Sequence, residues 1–129
     1  MADDRANREV VERYWRALER SEFDAAVEEL ADDFVETYPQ SGETIRGKDN
    51  FLQVLKYFPS FPAIRVHRHV GCGDVWITEA AFDYSKDGSQ PWEICDVQEL
   101  RDGKIVRIRA VFGAPFDAAE WRAKWVERS

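Results

Sequence analysis

An α+β fold is predicted by three observations. Helical periodicity is confined to the first half of the chain, period-two alternation fills most of the second, and turn residues cut that second half into four strands. Val10, Val11, Tyr14, Trp15 and Leu18 recur at three- and four-residue spacing with Arg and Glu between them, which predicts a helix over 3–20. Ser21 and Glu22 break it. Phe23, Val27 and Leu30 predict a shorter helix over 23–31, and 34–38 reads as extended up to Pro39 and the turn-rich Gln40-Ser41-Gly42. After Gly47, the apolar positions Phe51, Leu52, Leu55 and Phe58 predict a third helix over 49–58, which Pro59 and Pro62 terminate.

Strands are then expected at 63–70, 75–84, 91–100 and 104–112, separated by Gly71-Cys72-Gly73-Asp74, Lys86-Asp87-Gly88-Ser89 and Arg101-Asp102-Gly103. Such neighbours favour an antiparallel meander. In the tail over 116–129, Trp121 and Trp125 stand at helical spacing, consistent with a last turn or two covering the sheet edge or a dimer seam.

A chain of 129 residues fits one domain, and at that size a single core can hold it without metals or disulfides. The formal charge of −7 and the absence of any Lys/Arg cluster argue against nucleic acid and anionic membrane surfaces as partners. Cys72 and Cys95 have no metal-type spacing and are too few for a disulfide framework. The stretch MADDRANREVVERYW alternates charge with hydrophobicity, unlike a signal peptide, and no run approaches a membrane span. A reducing cytoplasm is the expectation.

Few residues stand in a catalytic or metal-binding pattern. His67 and His69 lie two apart on a predicted strand, so they are expected to share a face, but Arg65 shares it too and no third ligand is near. A solvated or interface face is preferred, and no metal site is expected. H-E-x-x-H, P-loop, G-x-G-x-x-G and G-x-S-x-G motifs are all absent.

Strand parity is more productive. Trp92, Ile94, Asp96, Gln98 and Leu100 fall on one face of the third strand, which sets Asp96 among apolar neighbours. Ile108, Ala110 and Phe112 alternate with arginines on the fourth, and Trp76, Thr78, Ala80 and Phe82 share a face of the second. If those faces curve round a cavity, Asp96 is a carboxyl in an apolar wall, where burial raises its pKa and keeps it protonated as a donor. The alternative is a structural aspartate satisfied by backbone or an arginine.

The segments VVERYWRALERSEFDAAVEELADDFVETYP and DVQELRDGKIVRIRAVFG, with RYWRAL in the first helix, ADDF closing the second and the RDGKI hairpin, resemble the nuclear transport factor 2-like superfamily, including SnoaL-like proteins and ketosteroid isomerase. The resemblance runs from about Arg8 to Phe112. It implies a cone in which a curved antiparallel sheet, of the cystatin-like kind, wraps the N-terminal helices around an internal pocket, usually dimeric through the sheet. The superfamily hosts isomerases, cyclases, dehydratases, epoxide hydrolases and non-enzymes, so the resemblance speaks for fold more than function.

Similarity to ketosteroid isomerase implies specific roles. Its oxyanion-hole tyrosine falls on Tyr14 and its protonated aspartate on Asp96, and both would donate to an oxygen gaining negative charge. The position of its general-base aspartate holds Tyr38, a poor base at pH 7. Glu36 shares strand parity with Tyr38, about 6–7 Å along the strand, and is the substitute. The arginine that epoxide hydrolases of the superfamily place two residues before an aspartate is here Ile94. Tyr38, Trp76, Phe82, Trp92, Ile108 and Phe112 are expected to line the pocket, although Tyr14 and the aromatic residues could equally be plain packing. The implied protein is a homodimer taking a small hydrophobic carbonyl or enol compound with no metal or organic cofactor. The alternatives are a non-catalytic binder of hydrophobic molecules and a protein-interaction module.

Overall fold

The computed structural model describes residues 3–129. Helix α1 (Asp4–Glu19) is capped by Asp3, whose carboxylate accepts from the Ala6 amide at 3.1 Å. Its stripe of Val10, Val11, Tyr14, Trp15 and Leu18 is buried and its Arg/Glu face is solvated. The chain reverses at Ser21, which adopts φ +55°. Helix α2 (Phe23–Glu28) follows, then strands β1 (Leu30–Tyr38) and β2 (Glu43–Arg46), and helix α3 (Lys48–Lys56). Four long strands complete the sheet: β3 (Ala63–Cys72), β4 (Val75–Asp83), β5 (Pro91–Arg101) and β6 (Lys104–Gly113). A 3-10 helix spans Glu120–Trp125.

The six strands form one curved sheet in the order β2-β1-β6-β5-β4-β3. The expected meander β3 to β6 is present. Three features of these elements depart from expectation. Helix α2 stops at Glu28, because Leu30 pairs with Ile105 as the first residue of β1; an apolar residue suits both a helix stripe and a strand. Strand β1 also runs parallel to β6, the one parallel pairing in an otherwise antiparallel sheet. The short edge strand β2 went unpredicted, since its four residues have no buried position to set a period.

The helices cover one face of the sheet. Across that face the register aligns Glu36, Ile108, Gln98 and Trp76 in one row and Ala110, Asp96 and Thr78 in the next. The core joins the α1 stripe to Leu30, Phe34, Ile94, Ile105 and Ile108. Each such side chain contributes about 1.5–3 kcal/mol when fully buried. The Trp15 indole and the Gln98 amide are matched within the core. The Trp15 indole N–H donates to Gln98 Oε1 at 2.8 Å, and Gln98 Nε2 donates to the Trp76 carbonyl at 2.9 Å. At the start of α1, Asn7 Nδ2 donates to the Gly73 carbonyl at 2.9 Å, fastening the helix to the β3–β4 turn.

A bulge in β3 between Val66 and Arg68 overturns the expected pairing of the histidines. One extra residue flips everything beyond it to the other face. His67 therefore meets Glu93 on the outer face, while the His69 ring lies 2.8 Å from Thr78 Oγ1 on the inner one. The last turn expected in the tail is present as the 3-10 helix, but Trp121 and Trp125 are exposed rather than packed on a sheet edge of this chain, with Arg122 and Lys124 resting over their rings. No helix among the described residues is long and apolar enough to cross a membrane.

Gly71 pairs with Trp76 where β3 and β4 approach the turn. An added Cβ would collide with the Val75 carbonyl oxygen and lie 2.8 Å from the Trp76 Cα, both backbone atoms that cannot swing away. Gly71→Ala is expected to cost about 1–3 kcal/mol, seen as a lower denaturation midpoint with an unchanged denaturant slope. Unchanged stability would contradict the packing described.

Candidate functional site

Where the sheet curves away from α1 and α3, a cavity of about 310 Å³ opens between them. Tyr14, Trp15 and Leu18 reach it from α1, Phe51, Val54 and Leu55 from α3, and Glu36 and Tyr38 from β1. Strands β4 to β6 contribute Phe82, Trp92, Ile94, Asp96, Ala110 and Phe112, and the loops add Phe58, Phe61 and Tyr84. Parity on the strands explains the convergence: Glu36 and Tyr38 are two apart on β1, and Asp96 is two residues from Ile94 and four from Trp92 on β5.

The wall is a chain of aromatic edges and faces. Tyr38 meets Phe112 at 5.6 Å between centroids, Phe112 meets Trp92 at 6.2 Å, Trp92 meets Tyr84 at 5.4 Å, and Tyr84 stacks on Phe58 at 6.2 Å. Contacts of this kind hold rings in fixed orientations beyond what area burial alone achieves.

Two carboxyls stand in that apolar setting. Glu36 and Asp96 are about 5% and 6% exposed. Asp96 Oδ1 is fully buried and has no hydrogen-bond partner among the described residues. Burial pushes the Asp96 pKa up to about 7. Burial likewise pushes Glu36 well above the usual carboxylate range, and the charge of Asp96 pushes it further, while a hydrogen bond with Tyr38 acts in the opposite direction. The two ionise as a pair. The Tyr14 and Tyr38 hydroxyls are both raised by burial first and the Glu36 charge second, so each stays a neutral donor near neutrality.

Tyr14, Asp96, Glu36, Tyr38, Phe82, Trp92 and Phe112 thus meet around one cavity. Trp76 and Ile108 do not line it. Both lie on the inner face but beneath α1, where Trp76 is 3% exposed and Ile108 fully buried in the core. Parity gives the face a strand residue takes but not its height under the helix. An arginine-held Asp96 is not the arrangement, since among the described residues Asp96 Oδ1 has no partner and no arginine lines the cavity. Phe58, Phe61 and Tyr84 were missed as liners. The first lay in a recognised apolar stripe, but which side of the cavity α3 closes depends on tertiary packing. Among the described residues, no group of three or more His, Cys, Asp or Glu is placed to hold a metal.

Residues 11–108 match the profile of the SnoaL-like domain. The chain belongs to the SnoaL-like domain family. An NTF-2 like protein of unknown function from Burkholderia xenovorans is 35% identical, with 97% of this chain and 96% of that one covered at a TM-score of 0.83. A ketosteroid isomerase candidate from Kribbella flavida superposes at 0.87 with 21% identity, covering 100% of this chain and 93% of that one. An LEH-like epoxide hydrolase from M. tuberculosis superposes at 0.69 with 24% identity over 85% and 84% of the two chains. The last two likenesses establish the fold alone. No curated protein matches the chain. SnoaL-like and nuclear transport factor 2-like membership and the α+β cystatin-like architecture therefore agree with the sequence reading.

A carboxyl whose folded pKa lies above its unfolded value binds its proton more tightly when folded. Its contribution is therefore full at low pH and lost as pH rises from about 4 through about 7. Asp96→Asn should flatten that decline and stabilise the fold at pH 8 by an amount on the order of a few kcal/mol, raising the thermal midpoint. A variant less stable than wild type at pH 8 would show Asp96 to be held by partners instead. Gln98→Leu, which strands the Trp15 indole N–H and the Trp76 carbonyl, should cost about 2–4 kcal/mol at every pH. Chemical denaturation at pH 6 and 8 separates the two effects.

Proposed function

We propose that the cavity carries out proton transfer on a small hydrophobic carbonyl or enol compound, as an isomerase or cyclase acting without a metal or organic cofactor. Tyr14 and Asp96 donate to the substrate oxygen and Glu36 moves the proton. The observation that supports this most is the unpartnered, buried Asp96 Oδ1 beside a second buried carboxyl and two tyrosines in a cavity of ligand size. A fold tolerates such a costly pair where the site uses it.

Without an acceptor beside it, Asp96 ionises near neutrality and its charge keeps Glu36 protonated. A substrate oxygen accepting from Tyr14 and Asp96 stabilises the neutral acid. The charge opposing Glu36 is then gone, and ionisation of the pair passes to Glu36, where Tyr38 favours the carboxylate. Glu36 takes a proton from the carbon next to the carbonyl. The C–H electron pair delocalises onto the oxygen as an enolate held by the two donors, and Glu36 returns the proton to a second carbon. Binding thus arms the base.

The same wall favours a second reading, a non-catalytic binder of hydrophobic molecules, because nearly all of its lining is apolar or aromatic. We also place the protein in the cytoplasm as a homodimer joined through the outer sheet face. There Val70, Ile77, Val97 and Val111 form an apolar strip beside Arg107, Arg109, Glu79 and Glu99, a mixture suited to two-fold pairing.

A pH titration of a fluorescent naphthol into wild type and Asp96→Asn tests the donor pair. Preference for the naphtholate in wild type, lost in the variant, is expected. Isomerisation of a small β,γ-unsaturated cyclic ketone tests the chemistry, with Glu36→Gln expected to lose about 10²–10⁴-fold. Naphthol binding without any turnover would leave the binder reading.

A further inference from the structure

The cavity's charge balance is one-sided. Its lining includes two buried carboxyls and, among the described residues, no Lys, Arg or His. His69, which contacts Thr78 on the inner face, is not among the cavity residues. Any charge the walls develop is therefore negative. Aromatic rings share the space with the carboxyls: Trp15, Tyr38, Phe82, Tyr84, Trp92 and Phe112 all reach it. Aromatic faces attract cations, more strongly where water is excluded. The carboxyls are already desolvated by the fold, so a cation entering the cavity gains their attraction without their desolvation cost falling on binding.

We infer that the cavity binds hydrophobic primary amines as their ammonium ions, the ammonium donating to Asp96 and lying against the aromatic wall. The unpartnered Oδ1 of Asp96 marks the place, because an ammonium supplies the donor it lacks. This inference shares the cavity with the proposed chemistry but does not rest on it, since amine binding needs neither a carbonyl nor a base.

Ionisation of Asp96 sets the pH dependence. The groups that face it are the Tyr14 hydroxyl from α1 and Glu36 with Tyr38 from β1, whereas α3 and β6 present only apolar side chains and β4 presents Thr78. None of these is a cation. As pH rises from 6 to 8 the Asp96 carboxylate fraction grows and the amine stays protonated, so affinity increases, by about tenfold for one ionisation near 7.

Three probes with one ring system decide the matter: 2-naphthylmethylamine, 2-naphthalenemethanol and 2-naphthoate, titrated by calorimetry at pH 6 and 8. The expected order at pH 8 is amine, alcohol, carboxylate, with the amine at least about tenfold tighter than the alcohol. That advantage of the amine over the alcohol should vanish in Asp96→Asn. An alcohol that binds as tightly as the amine, or a carboxylate that binds best, overturns the inference while leaving the carbonyl reading standing. Failure of all three probes overturns the inference, and the naphthol titration then judges the carbonyl reading separately. If Asp96→Asn does not fold, the wild-type pH profile decides: amine affinity that is flat or falls between pH 6 and 8 refutes the role of Asp96.

Discussion

The docking of α1 into the curve of the sheet, fixed by the Trp15–Gln98–Trp76 hydrogen bonds, is the constraint from which the rest follows. Trp15 cannot be rotated away from Gln98 without stranding two buried polar groups. With Trp15 pinned, the preceding residue has a fixed direction, and Tyr14 reaches the cavity with its ring edge-on to Trp15 at 5.9 Å. The same row of the sheet holds Glu36, two strands away from Gln98 across Ile108. A single buried amide thus sets helix rotation, tyrosine direction and the floor of the cavity.

Stability and chemistry pull against each other around that floor. An acid held near neutrality in an apolar wall is a cost to folding at physiological pH, and a second acid nearby compounds it. The fold carries the cost through an apolar core that runs continuously beneath α1, from Val11 through Leu30 and Phe34 to Ile105 and Ile108. The carboxyl pair and the core belong to adjacent parts of one sheet face. Phe51 belongs to both: it packs edge-on against Phe34 of the core and also lines the cavity.

Much of the architecture was legible because burial and periodicity coincide. The α1 stripe, the four long strands and the apolar surroundings of Asp96 all follow from which residues avoid water at which spacing. Three things escaped that logic. Leu30 fits a helix stripe and a strand start alike, so the α2–β1 boundary depends on its partner Ile105. The β3 bulge breaks the period-two assumption at one residue and sends His69 inward, with no local signal in Arg65-Val66-His67-Arg68. Height along a strand decided the rest: Trp76 and Ile108 share the face of Asp96, yet the helix that covers them leaves no cavity there.

The same bulge has a consequence at the rim of the sheet. An outermost strand offers free amides and carbonyls on which another chain can add. Here one rim is β2, only four residues long, and the other is β3, broken mid-length and carrying Arg65, His67 and Arg68. Neither offers a long flat template, so strand-by-strand growth into fibrils is discouraged at both ends. The kink that redirected one histidine thereby also closes the β3 edge to strand addition.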